Sequence, residues 1–264
     1  RKETGKVRAI ILKARQQGIS TFCAGRVFWK TYFQQHTRSV VMAHDSATSD
    51  SLFSMSKNLI KNMEKGLQPK LEKTNAKEIS IQTPAYPDSD AVGSYRLYTA
   101  GSPEAGRGTT PTILHGSEVA FWQHDAKILA GLFQGISQSD GTEVIIESTA
   151  NGASGEFYRL YQAAAAGESD YIAIFIPWFK TIEYKREVPE GFELTFEEKD
   201  YKEKYDLTDE QLYWRRLKIV EGGVDKFRQE YPANSEEAFL VSGASVFDSE
   251  KINSFKPTPP IALR

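Results

Sequence analysis

The chain has 264 residues, 40% of them hydrophobic and 26% charged, the make-up of an ordinary globule with room for one large α/β domain or a core and a small appendage. A net charge of −2 excludes a protein that coats nucleic acid through overall basicity, so any contact with DNA rests on a local patch. The single cysteine, Cys23, excludes a disulfide framework within the chain and fits a reducing compartment, and no apolar stretch approaches the ~20 residues that span a bilayer.

The first informative stretch is residues 7–21, VRAIILKARQQGIST. The apolar run Ala9, Ile10, Ile11 and Leu12 predicts a buried strand, and a polar loop with Gly18 then opens onto a helix carrying Val27, Phe28, Trp29 and Tyr32. Strand, glycine-bearing loop and helix N-terminus make an anion site, because backbone N–H groups and the helix dipole both favour negative charge there. Against the phosphate-loop pattern G-x-x-x-x-G-K-[ST], Gly18 and Ser20 take the sixth and eighth positions. Lys13 stands at the first position in place of Gly, and Ile19 at the seventh in place of Lys. Two readings stand at this point. One is an ordinary strand-to-helix turn. The other is a phosphate loop whose cation has moved: Lys13 swings back across the loop, Arg15 adds a fork-shaped donor, and the Ser20 hydroxyl holds Mg²⁺.

Residues 38–44 (RSVVMAH) predict a second buried strand, and residues 46–64 an amphipathic helix with Leu52, Met55, Leu59, Ile60 and Met63 on one face. Residues 65–77 read as a basic loop whose Lys70, Lys73 and Lys77 either face solvent or touch a DNA phosphate backbone. Shorter strands are expected at 78–82 and 95–98. Residues 100–110, AGSPEAGRGTT, form a glycine-rich loop carrying Arg107. An arginine on such a loop beside a nucleotide site can complete a neighbouring subunit's site.

Ile113 and Leu114 predict a short strand that ends at Ser117 and Glu118. A nucleotide hydrolase needs two things there, an oxygen ligand for the Mg²⁺ shell and a carboxylate to orient or deprotonate water. The usual order is Asp then Glu, so Ser117 leaves Glu118 as the working carboxylate; the same pair also serves as a helix cap. His115 reads as a core residue. After a helix at 126–138, the strand 142–146 ends in Glu147, Ser148, Thr149, Ala150, Asn151 and Gly152. Small polar residues at the carboxyl end of a core strand lie where α/β sheets bind ligands, or else they turn the chain into the next helix, at 155–166. Residues 171–178 (YIAIFIPW) are the last strand, a charged connector follows at 183–191, and the pattern from 196 to 241 is helical, with a capped start at Thr208. The chain divides into a core at 1–182, a helical lid at 183–245 and a linker at 246–264.

Taken in order, these motifs make the chain similar to a known family. It resembles the ATPase domain of the large terminase subunit, the DNA-packaging motor of tailed double-stranded DNA bacteriophages. KARQQGIST is similar to that family's variant phosphate loop with lysine at the first position, and SEVAFW to its acidic motif in the form with Ser before the catalytic Glu. STANG matches its coupling motif, and YPANSEEAFLVSG the segment that closes the ATPase domain before a nuclease begins.

The resemblance implies an α/β fold: a RecA-like P-loop NTPase core of the additional-strand, catalytic-glutamate class, with a mainly parallel sheet and a C-terminal helical lid. It implies ATP and Mg²⁺ as cofactors. By motif position Lys13, Arg15, Gln16, Gln17, Gly18, Ile19, Ser20 and Thr21 bind the triphosphate, with Ser20 on the metal. Ser117 completes the nucleotide site, Glu118 activates water and Arg107 acts in trans on the adjacent subunit's ATP. Ser148, Thr149 and Asn151 link hydrolysis to movement. The implied partners are double-stranded viral DNA, the portal protein, the small terminase subunit and further copies in a pentameric ring on the procapsid, in the host cytoplasm and off the membrane. The chain starts at Arg1 without the family's adenine-contacting segment and stops before a nuclease, so weak ATP hydrolysis and no DNA cleavage are expected. Two other classes compete. A helicase-type motor calls for Asp before Glu118 and a second RecA-like domain; a non-hydrolysing scaffold fits the missing lysine at position 19 but has no need of Glu118.

Overall fold

The computed structural model describes residues 5–75, 77–82, 92–101 and 108–241, so Arg107 and the expected linker at 246–264 lie outside the described residues. Strands β1 (Val7–Lys13), β2 (Arg38–Ala43), β3 (Lys70–Thr74), β4 (Glu78–Gln82), β5 (Val92–Thr99), β6 (Ile113–Ser117), β7 (Glu143–Ser148) and β8 (Ile172–Ile176) build one eight-stranded sheet. Their spatial order is β3-β4-β5-β2-β6-β7-β1-β8. From β5 to β8 all neighbours are parallel, and β4 and β3 extend the sheet antiparallel.

The parallel strands read as unbroken apolar runs because both their faces are covered. Along β1, Ile10 and Leu12 join a core with Val144 and Ile146 of β7, closed by α3 (Asp125–Gly135) and α4 (Gly155–Ala165). Ala9 and Ile11 point the other way, beneath α1 (Ile19–Phe33). On that second face α1 and α2 (Ser46–Lys61) also cover Val41 and Ala43 of β2. Each fully buried Ile, Leu or Val contributes roughly 1.5–3 kcal/mol, and alternation along one strand supplies both cores at once.

Two expectations fail here. The helix expected at 46–64 ends at Lys61, with Phe53 buried in place of Leu59, which is 40% exposed. The expected basic loop at 65–77 contains β3, an edge strand exposed at every residue. Its Lys70 pairs with Glu72 at 2.9 Å and its Lys73 with Glu78 at 2.5 Å, while Lys77 is exposed in the turn to β4. Charged side chains on an edge strand discourage pairing with another chain.

Beyond β8 the chain is helical: α5 (Phe196–Tyr205), α6 (Asp209–Gly222), α7 (Val224–Glu230) and α8 (Ser235–Val241). Thr195 and Thr208 start the first two with reciprocal capping boxes to Glu198 and Gln211. An aromatic cluster holds this layer: Trp178 and Tyr184 stack on Trp214 at 5.3 Å and 4.4 Å, with Phe227 edge-on. Ala14, just past β1, belongs to the same cluster. α8 leaves it and returns to the sheet, where Phe239 packs on Phe157, Tyr158 and Tyr161 of α4. Among the described residues no helix is long and apolar enough to cross a membrane.

At the amino end of β7, Glu143 accepts from Arg26 at 2.7 Å and from the fully buried Lys30 at 2.9 Å. Burial raises the Glu143 pKa, but Arg26 and Lys30 outweigh it and leave the carboxyl below its ordinary 4.5. A carboxyl lowered on folding stabilises above its unfolded pKa, and that contribution is lost as pH falls through the folded value. Glu143→Gln should therefore cost about 3 kcal/mol at neutral pH, by removing the counter-charge of buried Lys30. The gap to the unaltered chain should close in acid. Urea midpoints measured at both pH values check the sign.

Candidate active site

β1 delivers Lys13 to the carboxyl edge of the sheet, and residues 14–18 then turn the chain into α1. The turn needs a left-handed residue at its end. Gly18 takes φ 73° as the cap of α1, a conformation that costs a residue with a Cβ about 1–2 kcal/mol. No side chain caps α1 and its first turn holds no acid, which leaves a helix end whose N–H groups and dipole favour an anion. Ile19 packs against the cluster of Ala9, Ile11, Cys23 and Ile145. The position that carries lysine in the common pattern is thus spent on packing.

A buried cation stands instead at the end of β1. Lys13 is 4% exposed, with Nζ 2.8 Å from Oε1 of Glu118 and 3.3 Å from Oε2 of Glu147. Burial pulls the ammonium pKa down, but Glu147 and Glu118 outweigh it and leave it raised, so Lys13 is charged. Lys13 and Glu118, assigned from separate motifs, therefore share one cleft.

Glu118 follows β6 at φ 54°, and its Oε2 lies 3.4 Å from both Ser148 Oγ and the Thr149 amide. The polar end of β7 holds the turn after Glu118 as well. Ser148 Oγ accepts from the Ala120 amide at 3.2 Å, and Asn151 donates to the Ala120 carbonyl at 3.0 Å. The cleft is about 500 Å³ and is lined by Lys13, Arg15 to Thr21, Ser117, Glu118 and Thr149. Ser148 is buried behind it, and Asn151 braces the turn from the outside.

Two assigned side chains have structural partners. Arg15, its side chain 56% exposed, lies on Glu230 of α7 at 3.0 Å. Gln17 accepts from the Ala14 amide at 2.9 Å and donates to the Pro177 carbonyl at 2.9 Å and Thr181 Oγ1 at 3.1 Å, pinning the loop to the chain after β8. Thr21 is exposed, its hydroxyl 3.8 Å from the Met55 sulfur.

Glu147 went unassigned in the sequence. Fully buried, it accepts from Ser20 Oγ at 2.8 Å and lies 3.4 Å from His115 Nε2. Burial pushes its pKa up, but His115 and Lys13 bring it down to about 2. An acid ending an otherwise apolar, β-branched run was the available signal. His44, Thr48, Phe121 and Glu230 also line the cleft and carried no signal of spacing.

The donor set fits magnesium. Two carboxylates, Glu118 and Glu147, face one ammonium, and the hydroxyls of Ser20 and Ser117 stand beside Glu147. Among the described residues no group of three or more His, Cys, Asp or Glu forms a metal cage. Magnesium asks for none, since it is commonly held by one or two protein oxygens, water and substrate phosphate.

A strand, loop and helix, with β7 between that strand and the one that leads into Glu118, give a RecA-like α/β fold with a mostly parallel sheet. Solved structures show the same fold in phage proteins. The large terminase ATPase domain of Thermus phage P74-26 superposes with a TM-score of 0.60 at 14% identity, over 88% of each chain. The large terminase of bacteriophage HK97 matches with a TM-score of 0.56 at 13% identity, over 88% of this chain and 47% of that one. No protein-family model and no curated protein matches the sequence.

Gln17→Ala should remove the hydrogen bonds to the Ala14 amide, the Pro177 carbonyl and Thr181 Oγ1, costing about 1–3 kcal/mol in all. The Ala14 amide keeps the Ile176 carbonyl, and the Pro177 carbonyl keeps the Lys180 amide. Urea unfolding measures it.

Proposed function

We propose that the chain is the ATPase domain of a phage large terminase, coupling ATP hydrolysis to movement of double-stranded viral DNA into a procapsid. The observation that carries this reading is the 2.8 Å contact of Lys13 with Glu118, which joins the displaced cation and the catalytic-type acid at one anion-binding helix end. The terminase fold supports it.

In this reading the triphosphate of ATP lies over the first turn of α1. Magnesium, when bound, neutralises phosphate charge. Lys13 exchanges Glu118 for the γ-phosphate, which frees the Glu118 carboxylate to orient water and take its proton. Arg15 exchanges Glu230 for phosphate in the same way. Ser148 and the Thr149 amide, touching Glu118, register the change, and Asn151 passes it to the turn at Ala120. Residues 183–245 act as a lid, and Arg107 of an adjacent subunit adds positive charge in trans. The working form is a ring, pentameric by the resemblance, that engages the portal protein and the small terminase subunit. Lys77 is the readier of the basic contacts for DNA, because Lys70 and Lys73 are engaged with Glu72 and Glu78.

Glu118→Gln and Lys13→Ala should each lower DNA-stimulated ATP turnover by about 10²–10⁴-fold. Unchanged turnover in both sinks the reading. Rings mixed from Arg107→Ala and Glu118→Gln subunits should turn over faster than either alone; equality with the separate variants excludes the trans arginine.

A further inference from the structure

We infer that Glu147 supplies the carboxylate of the magnesium shell, in place of the Asp that the common pattern sets at position 117. The inference rests on the nucleotide reading above and assigns the metal side of the same site.

Register places the two positions side by side. Ile11 of β1, Glu147 of β7 and Ser117 of β6 form one row across the sheet. Ile11 faces α1, and Glu147 lies under the first turn of that helix, with Ser20 Oγ 2.8 Å away. Ser20 is the donor in that hydrogen bond, because an ionised carboxylate can only accept. The hydroxyl proton is thus directed at Glu147, and the oxygen's lone pairs are left for a cation. Ser117 brings no charge to this row, and its hydroxyl is buried beside Glu147. The carboxylate has moved one strand closer to the phosphate loop.

A purely structural Glu147 fits less well. Its Oε1 is taken by Ser20, while its Oε2 rests on the Lys13 ammonium at 3.3 Å, a group that the nucleotide reading moves away. When Lys13 turns to phosphate, that oxygen loses its nearest cation, and the carboxylate is left with His115 alone, 3.4 Å from Oε1. A divalent ion restores the balance. Lys13 and magnesium thus take turns as the partner of Glu147.

The test is binding of a fluorescent, slowly hydrolysed ATP analogue to the full chain, titrated once with excess Mg²⁺ and once with EDTA. The unaltered chain should bind more tightly with Mg²⁺. Glu147→Gln should lose most of that gain, about tenfold or more by the usual effect of removing a group that supports a metal, with the EDTA titration of each variant as its own baseline. Ser117→Asp added to Glu147→Gln should restore part of the gain, which a merely structural role does not predict. If Glu147→Gln fails to fold, the double variant decides by the same restoration. A full magnesium gain in Glu147→Gln, or a folded double variant without any, overturns the inference and leaves the nucleotide site standing. No analogue binding by the unaltered chain in either buffer overturns both.

Discussion

The Lys13 ammonium is buried where β1 ends, and a charge there cannot stand without a counter-charge. An unpaired ion in a protein interior costs several kcal/mol, so the ends of β6 and β7 must each bring a carboxylate to it. Glu118 reaches it by a left-handed turn directly after β6, and Glu147 by standing in the last full row of β7. These two contacts fix how the three strand ends meet. They also join residues 105 positions apart in the chain, Lys13 and Glu118, in one cleft.

Sheet order explains why the meeting happens at this edge. In open α/β sheets ligands gather outside the carboxyl ends of the strands, where the connecting loops diverge. Here α1 leaves β1 and crosses β7 and β6 to reach β2, and its first turn stays over the gap. A helix dipole, an ammonium and two carboxylates then share a small space with few competing groups. The solved terminase structures share the framework at only 13–14% identity, so the framework does not depend on a shared sequence.

Much of this was legible in the sequence. β1 and β7 announce themselves because strands covered on both faces have no polar period to hide the run. The caps at Thr208 and Gln211 are local chemistry, readable within four residues. β3 was not legible, since KLEKT has no apolar alternation and is held only by pairing with β4. Glu147 was hidden for another reason. Its meaning lies in register, beside Ser117 and beneath Ser20, which no linear spacing expresses. Glu230 is further still, 215 positions from the Arg15 that it meets.

The loop between β1 and α1 has a second attachment. Ala14 is seated in the aromatic cluster, the Arg15 amide donates to the Glu230 carbonyl at 2.9 Å, and the Tyr184 hydroxyl donates to the Arg15 carbonyl. The loop is stitched to the helical layer as firmly as to the sheet. Lifting it away breaks these two hydrogen bonds, worth about 0.5–1.5 kcal/mol each, together with the Arg15–Glu230 ion pair and the Gln17 contacts with Pro177 and Thr181, and takes Ala14 out of the aromatic cluster. Pulling α7 in turn drags on the backbone next to Lys13. The helices and the phosphate-type loop therefore form one mechanical piece, so that a tug at either end is felt at the other without any intervening signal.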